Sequence, residues 1–244
     1  MIFGALSTCL LTLPGAASAK SESGITVGAG AAVFPTYQGS DEYRVLPFPI
    51  LDVQLGQFFL NSSDGLGVNV IDTELITVGG AVSFLPGYRR RDVPEGIDRV
   101  KNTAGARLFT KLHLGNIGVS VGATRAIGGT KGIIADASLS YAARLSSQLT
   151  LSPSIGTSWA NGKYMDRYFG ISREEAIASK LPYFEAKGGF KDVTAALGAS
   201  YRLSRNLTVI ANAGVTRLLN DAADSPLNKR RWNPSSFVGI AYRF

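Results

Sequence analysis

The residues that could perform acid–base or nucleophilic chemistry are few and lie far apart. The sequence contains one histidine, His113, and one cysteine, Cys9. Serine catalysis needs a histidine base within hydrogen-bond reach of the serine and a third group that orients the base. His113 is followed by Leu114 and Gly115 rather than by a serine. We therefore predict that His113 is a polar side chain of a strand and not a catalytic base.

The acidic residues give no pattern of a metal or cofactor site. Two adjacent pairs, Asp41-Glu42 and Glu174-Glu175, stand out. Neighbouring side chains point to opposite faces of a strand and splay apart on a helix, so these pairs suit a hydrated surface better than a shared ligand. The histidine, cysteine and carboxylate residues do not have the spacing that is typical of a zinc site. We predict no catalytic residues, no cofactor and no metal.

The elements that must position any site are predicted to be strands. In one segment Ile117, Val119 and Val121 alternate with Ser120 and Thr124, and such period-two patterns are typical of strands. The polar face is mostly Ser, Thr, Gly and Asn, which suits a water-filled or polar-packed lumen with lipid outside. We place twelve strands near 25–34, 46–55, 57–63, 65–71, 74–84, 102–113, 117–127, 132–144, 148–159, 187–203, 206–217 and 235–244.

The connections between these strands predict an outer-membrane barrel. Alternate connections are tight, at Gly56, 71–73, 115–116, 146–148 and 204–206. The others include four long ones, at 35–45, 85–101, 160–186 and 218–234. Short periplasmic turns and long outer loops are typical of transmembrane barrels with an even number of strands. The fold class is therefore an all-β, antiparallel, up-and-down transmembrane barrel of about 12 strands.

The first nineteen residues are predicted to be a secretory leader. They carry no charge, have an apolar centre and end in Ala17-Ser18-Ala19 before Lys20. The domain organisation is then a signal peptide at 1–19 and one barrel at 20–244. Because Cys9 lies in the leader, the exported chain would hold no thiol.

The segment 237–244 is predicted to be the closing strand. Val238, Ile240, Tyr242 and Phe244 fall on one face, and Gly239 lies on the other. An apolar strand that ends in an aromatic residue is similar to the carboxy-terminal signal of outer-membrane barrels. We predict that Gly239, Tyr242 and Phe244 are read by the barrel-assembly machinery.

The long loops carry two further patterns. Ser172-Arg173-Glu174-Glu175 is a capping-box sequence, which predicts a short helix in the 160–186 loop that acts as a plug or lid. Two basic clusters also map to outer loops: Arg89, Arg90 and Arg91, and Lys229, Arg230 and Arg231. Arginine suits phosphate, so contact with lipopolysaccharide is one hypothesis and hydrated loop charge is the alternative. The formal net charge of +7 comes with no nucleic-acid-binding module, so nucleic acid is not a predicted partner.

Several blocks along the chain resemble the MipA/OmpV family of outer-membrane proteins, the MltA-interacting proteins. They are Phe34–Pro49, Asp64–Val68, Tyr168–Gly170 with Ala176 and Ser179, Gly189–Val193, Arg217–Leu219 with Asp221–Pro226, and Tyr242–Phe244. The residues that we take as the family signature are Tyr37, Gly39, Ser40, Tyr43, Pro47, Pro49, Asp64, Gly65, Gly67, Tyr168, Phe169, Gly170, Ala222, Ser225 and Pro226.

The resemblance implies a Gram-negative outer-membrane barrel without catalytic residues, in contact with outer-membrane lipid and lipopolysaccharide. For one branch it implies a scaffold that brings a lytic transglycosylase together with a penicillin-binding protein, and other branches are surface antigens or adhesins. A different class of function is a narrow channel or ligand receptor. Its lumen would be lined by Arg107, Lys111, Arg144 and Arg202 and would favour anions.

Overall fold

Thirteen strand segments form one closed antiparallel sheet in the computed structural model, which describes residues 23–244. The segments are β1 Gly24–Pro35, β2 Tyr43–Leu55, β3 Phe58–Asn61, β4 Gly65–Asp72, β5 Ile76–Leu85, β6 Thr103–Leu114, β7 Ile117–Ala126, β8 Ile133–Tyr141, β9 Ala143–Arg144, β10 Leu149–Ala160, β11 Gly189–Arg202, β12 Leu207–Leu218 and β13 Trp232–Arg243. β8 and β9 both pair with β10 and form one barrel strand interrupted at Ala142. The barrel therefore has twelve strands, as predicted. The predicted leader lies outside the described residues.

The side-chain alternation places apolar residues on the outside of the barrel. On β13, Val238 and Ile240 are 55% and 47% exposed, whereas Phe237 and Ala241 on the other face are buried. β13 pairs with both β1 and β12, so the last strand closes the sheet as the sequence predicted. Exposed aromatic side chains lie near both ends of the barrel wall, as in the aromatic girdles of membrane barrels. Those near the long loops are Phe84, Trp159, Phe190 and Trp232, and those near the short turns are Phe58, Tyr141, Tyr201, Tyr242 and Phe244.

One side of the lumen is apolar, which differs from the predicted polar lining. A buried cluster on β1, β2, β12 and β13 faces inward and consists of Ala32, Phe34, Phe48, Ile50, Ile210, Phe237 and Ala241. The rings of Phe48 and Phe237 meet edge to face at 5.4 Å. Inward-facing glycines make the room: a Cβ at Gly30 would lie 2.7 Å from the Phe237 ring. Small residues on one strand therefore accommodate large ones on the next, and side chains fill this part of the barrel.

The short β3–β4 hairpin explains the two prolines of β2. On β2, β3 pairs only with Asp52–Leu55, so the outer half of β2 has a partner strand on the β1 side alone. Ser62 caps the end of this pairing, because its backbone N–H and its side chain both bond to the carbonyl of Leu51. Pro47 and Pro49 lie four and two residues before Leu51, whose N–H points towards the β3 side. Backbone N–H groups two residues apart point to the same side of a strand, so the N–H groups that these prolines lack would face the unpaired side. Proline is tolerated at such an edge and discourages pairing with another strand.

The loops at the other end of the strands from the tight turns contain three α-helices. These are α1 Gly162–Phe169, α2 Arg173–Ser179 and α3 Asn220–Asp224. α2 begins with the predicted capping box, since Ser172 and Glu175 bond to each other's backbone N–H groups at 3.2 and 2.9 Å. α1 and α3 were not predicted. In the part of the chain that the structure describes, no helix is long and apolar enough to cross a membrane.

Candidate functional site

The four long connections, 36–42, 86–102, 161–188 and 219–231, share one hydrophobic core at the outer end of the barrel, and we call this assembly the lid. It contains Tyr37, Tyr88, Val93, Ile97, Val100, Tyr164, Met165, Tyr168, Phe169, Ile171, Ala186, Ala222 and Leu227, with Ala160 and Leu218 from the strand ends. The buried face of α1 supplies its centre. The rings of Tyr164 and Tyr168 stack at 5.6 Å, and Tyr88 meets Tyr168 edge to face at 5.2 Å. The predicted lid is thus built by all four loops and not by 160–186 alone.

Buried hydroxyl groups tie the loops of the lid to one another. Tyr37 Oη donates to the carbonyl of Leu227 at 3.0 Å, and Ser225 Oγ donates to the carbonyl of Phe169 at 2.6 Å. Tyr88 Oη donates to the carbonyl of Tyr168 at 3.2 Å. Burial is the main cause that raises the pKa of Tyr37 to about 12, and the pKa of Tyr88 is raised for the same reason. These tyrosines therefore stay protonated and keep donating at neutral pH.

A buried ion pair joins the lid to the barrel wall. Lys191 is 2% exposed at the outer end of β11, where its Nζ donates to the neighbouring Asp192 carboxylate and, at 3.1 Å, to Gln38 Oε1 of the lid. Asp192 also accepts from Ser158 Oγ of β10 at 2.8 Å. Buried charges persist only when they are paired and hydrogen-bonded. The position of the first loop is therefore fixed relative to β10 and β11.

Most family-signature residues lie in the lid. Tyr37, Gly39, Ser40, Tyr168, Phe169, Gly170, Ala222, Ser225 and Pro226 belong to its connections, and Tyr43 begins β2 just below it. Gly39 shows why one residue type is needed, because its φ is +96° and a Cβ there would lie 2.7 Å from Asn228 Oδ1. Its amide donates to Asn233 Oδ1 at 2.9 Å. In this fold these residues shape the closure of the barrel.

Asp64, another signature residue, belongs to a charged quartet inside the barrel. Arg107 of β6 donates to Asp64 at 3.2 Å and holds Asp136 of β8 with two hydrogen bonds of 2.6 and 2.9 Å. Lys111 completes the quartet, with its Nζ 2.6 Å from Asp64. Arg107 can lie across β7 because Gly122 faces it: a Cβ there would be 2.5 Å from the guanidinium group. The remaining signature residues are Gly65 and Gly67, on β4, and Pro47 and Pro49, on the outer face of β2.

This geometry separates the four predicted lumen cations into two groups. Arg107 and Lys111 are neutralised by two carboxylates, so the middle of the lumen carries no excess positive charge from them. Arg144 and Arg202 pair in register with lumen-facing Thr150 and Thr208, and both are exposed at the periplasmic end. His113 lies near that end too, with its Nε2 3.4 Å from Thr77 Oγ1.

A basic arc follows the periplasmic rim from β9 to β13. It comprises Arg144, Arg202, Arg205 of the β11–β12 turn, and Arg243. Arg243 lies two residues after the buried Ala241 and so is on the lumen face of β13. All four are exposed, and none is in an ion pair within residues 23–244. The segments 142–152, 200–210 and 240–244 that carry them contain no aspartate or glutamate. We missed this arc in the sequence because its members are spread over a hundred residues.

The two basic loop clusters are largely paired with acidic neighbours. Arg90 lies 2.6 Å from Asp98, Arg91 lies 3.8 Å from Asp92, and Arg231 lies 2.8 Å from Asp224. Lys229 lies 3.2 Å from Asp41, and this contact lowers the pKa of the Asp41 carboxyl below its usual value. Four of the six cations thus have a carboxylate partner within the loops. Arg89 and Arg230 complete the clusters.

Comparison with known proteins gives one family and several full-length relatives. The family model described as "MltA-interacting protein MipA" matches residues 27–244. The MltA-interacting protein of Escherichia coli (strain K12) is 26% identical over 246 residues, which cover 98% of this chain and 97% of that protein. A 24 kDa outer membrane protein of Pasteurella multocida (strain Pm70) is 26% identical over 257 residues, with 98% and 97% covered.

Two solved structures with a similar outline are a porin and an outer-membrane channel. A KdgM porin has 11% identity and a TM-score of 0.48, with 90% of this chain and 99% of that chain covered. The COG4313 outer membrane channel of Pseudomonas putida F1 has 12% identity and a TM-score of 0.48, with 95% and 99% covered. At these values the likeness concerns the fold and carries no argument about transport.

Proposed function

This chain belongs to the MltA-interacting protein MipA family of the outer membrane, and on that premise we propose that it is a non-enzymatic scaffold that holds cell-wall enzymes at its periplasmic rim. The relative from Escherichia coli is named for its interaction with MltA. The partners that we propose for this chain are a lytic transglycosylase and a penicillin-binding protein.

The observation that carries the proposal is the contrast between the two ends of the barrel. The outer end is covered by the lid, whose polar groups are largely bonded to one another. The periplasmic end displays the arc of Arg144, Arg202, Arg205 and Arg243. Within residues 23–244 the guanidinium groups of Arg144, Arg202 and Arg205 are exposed and have no carboxylate partner, whereas Arg243 lies near Asp52. Such exposed cations suit an acidic protein surface, because charge complementarity raises the specificity and the association rate of a contact. The arc thus supplies periplasmic docking groups that tight turns alone would lack.

The test is a pull-down after cross-linking in intact envelopes. Replacing all four arginines of the arc by glutamine should abolish most recovery of the cell-wall enzymes, and added salt should weaken binding by the unsubstituted barrel. A matched control replaces Arg90, Arg91, Arg230 and Arg231 by glutamine, which removes the same charge from the outer loops. Equal recovery from both variants would refute the arc as the docking surface, and no recovery of any cell-wall enzyme with the wild type would refute the scaffold.

The alternative of an anion-favouring channel or ligand receptor is supported by the inward parity of Arg144 and Arg202. Planar-bilayer recordings separate the two functions, because a barrel closed by its lid and by inward side chains passes no steady current. A stable conductance that prefers anions would favour the channel. The surface adhesin or antigen alternative requires the lid to contact a partner, so replacing exposed lid residues would abolish it and leave the arc unaffected.

A further inference from the structure

The outward face of the barrel is unusually rich in aromatic rings in one sector of its outer end. Trp159 of β10 and Phe190 of β11 are register partners, and they are 38% and 56% exposed. Two strands further on, Trp232 of β13 is 55% exposed. The only other exposed aromatic at this end of a described strand is Phe84 on β5. We call Trp159, Phe190, Arg217 and Trp232 the aromatic strip.

Arg217 lies on β12, between the rings of β11 and β13. It is the register partner of Trp232, and its guanidinium carbon lies 5.3 Å from the centre of that indole ring. Stacking on an aromatic face orients a guanidinium group and leaves its N–H groups at the ring edge able to donate. Within residues 23–244, Arg217 has no carboxylate partner. It is an exposed, oriented cation with free donors.

The depth of the strip in the membrane indicates what these donors meet. Trp232 is the first residue of β13, Arg217 is one residue before the end of β12, and Trp159 is one residue before the end of β10. Strand ends that carry exposed tryptophan lie at the boundary between hydrocarbon and headgroups. The rings therefore face acyl chains, and the guanidinium group faces the headgroup layer.

The loop clusters do not have this arrangement. Arg90 and Arg231 are already bonded to carboxylates, so a phosphate would have to displace an existing partner. Arg217 has no such competitor and has an apolar surface beside it. An amphiphile with a phosphate group matches both features at once.

We propose that the aromatic strip binds the phosphate-bearing saccharolipid of the outer leaflet, with an acyl chain packed along the rings and a phosphate oxygen accepting from Arg217. A charge-assisted bond of this kind forms at the membrane surface, where one free arginine gains a permanent anionic partner. The site is distinct from the periplasmic arc and does not depend on the scaffold function.

The two tryptophans of the sequence are both in the strip, so intrinsic fluorescence reports on this site directly. Purified barrel in a non-ionic detergent is titrated with bisphosphorylated lipid A, with its dephosphorylated form, with phosphatidylglycerol and with inorganic phosphate. We expect the bisphosphorylated lipid to bind best. Arg217→Gln should weaken that binding about tenfold, as expected for the loss of one hydrogen bond to a charged group.

Arg125→Gln is the matched control. Arg125 is an exposed, outward-facing arginine near the outer end of β7, and its register partners are Ala106 and Ile133, so it has no aromatic ring opposite. We expect less than a twofold change in that variant. Heat-modifiable migration on a gel confirms that each variant is folded.

The proposal is overturned if Arg217→Gln binds bisphosphorylated lipid A as the wild type does. It is also overturned if phosphatidylglycerol or dephosphorylated lipid A binds equally well, or if inorganic phosphate alone competes fully. Cross-linked barrel dimers through Trp232 that persist in excess lipid A would identify a second copy of the chain as the occupant instead.

Discussion

Removing Arg107 from the lumen quartet tests whether the inside of this barrel is held by ion pairs. The substitution is Arg107→Met, which keeps much of the side-chain volume and deletes the charge. It leaves Lys111 beside Asp64 but takes away the cation that Asp136 contacts. Asp136 and Asp64 have side chains only 13% and 7% exposed, so water cannot readily replace the lost partner.

The expected cost follows from leaving a buried carboxylate unpaired. Removing one partner of a buried, hydrogen-bonded ion pair lowers the free energy of unfolding by about 3–5 kcal/mol. Replacing both partners should cost much less, because no uncompensated charge remains. We therefore expect Arg107→Met with Asp136→Leu to be more stable than the sum of the two single variants, by about 1–3 kcal/mol.

Urea unfolding of the refolded barrel, followed by tryptophan fluorescence, measures these changes. With an unchanged slope of about 3 kcal/mol/M or less, Arg107→Met should lower the midpoint by at least about 1 M. Arg144→Met is the control: it is also lumen-facing by register but exposed and unpaired, and it should change stability by about 0.5 kcal/mol or less.

Two outcomes would refute this reasoning. One is a midpoint for Arg107→Met that matches the Arg144→Met control. The other is a double variant that loses the full sum of its single costs, which would mean that the charges do not interact. Either result would describe the lumen as hydrated, with Arg107 solvated rather than paired.

Two other predictions concern the two ends of the barrel. The amide of Phe244 donates to the carbonyl of Ile25 at 2.9 Å, and deleting Phe244 should reduce the folded, heat-modifiable protein in outer-membrane fractions. Phe244→Trp, which keeps an aromatic carboxy-terminus, should leave that level unchanged. Normal levels after the deletion would exclude a role in insertion. Because the pKa of Tyr37 is raised from 10.0 to about 12, its stabilisation of the lid is full below about pH 10 and is lost as the pH rises towards 12. Protease cleavage of the loops should therefore increase over that range, and Tyr37→Phe should weaken the dependence on pH.

The family-signature residues and the proposed scaffold function are reconciled by the lid. Because enzymes of the cell wall work in the periplasm, signature blocks on the outer side would be misplaced as docking groups. Tyr37, Phe169 and Ser225 instead form one hydrogen-bonded core across three loops. Their role in this structure is to close the barrel, and the periplasmic arc is left as the proposed docking surface.

The sequence by itself determined the wall of the barrel. Strands such as 117–127 and 206–217 were predictable because side chains alternate between two faces, and one face must meet lipid along the whole crossing. The tight turns and the capping box at Ser172 were predictable for the same kind of reason: each depends on residues within a few positions of one another. Local chemistry was sufficient for these elements.

Only the tertiary structure decided what fills the barrel and what remains unpaired. Arg107 was predicted to line the lumen, but its neutralisation depends on Asp64, which reaches it across β5, and on Asp136, which reaches it across β7 where Gly122 leaves space. The same holds for Arg217, whose stacking on Trp232 is set by strand register. A charge is free or paired according to neighbours that are distant in sequence, and closing the sheet is what brings those neighbours together.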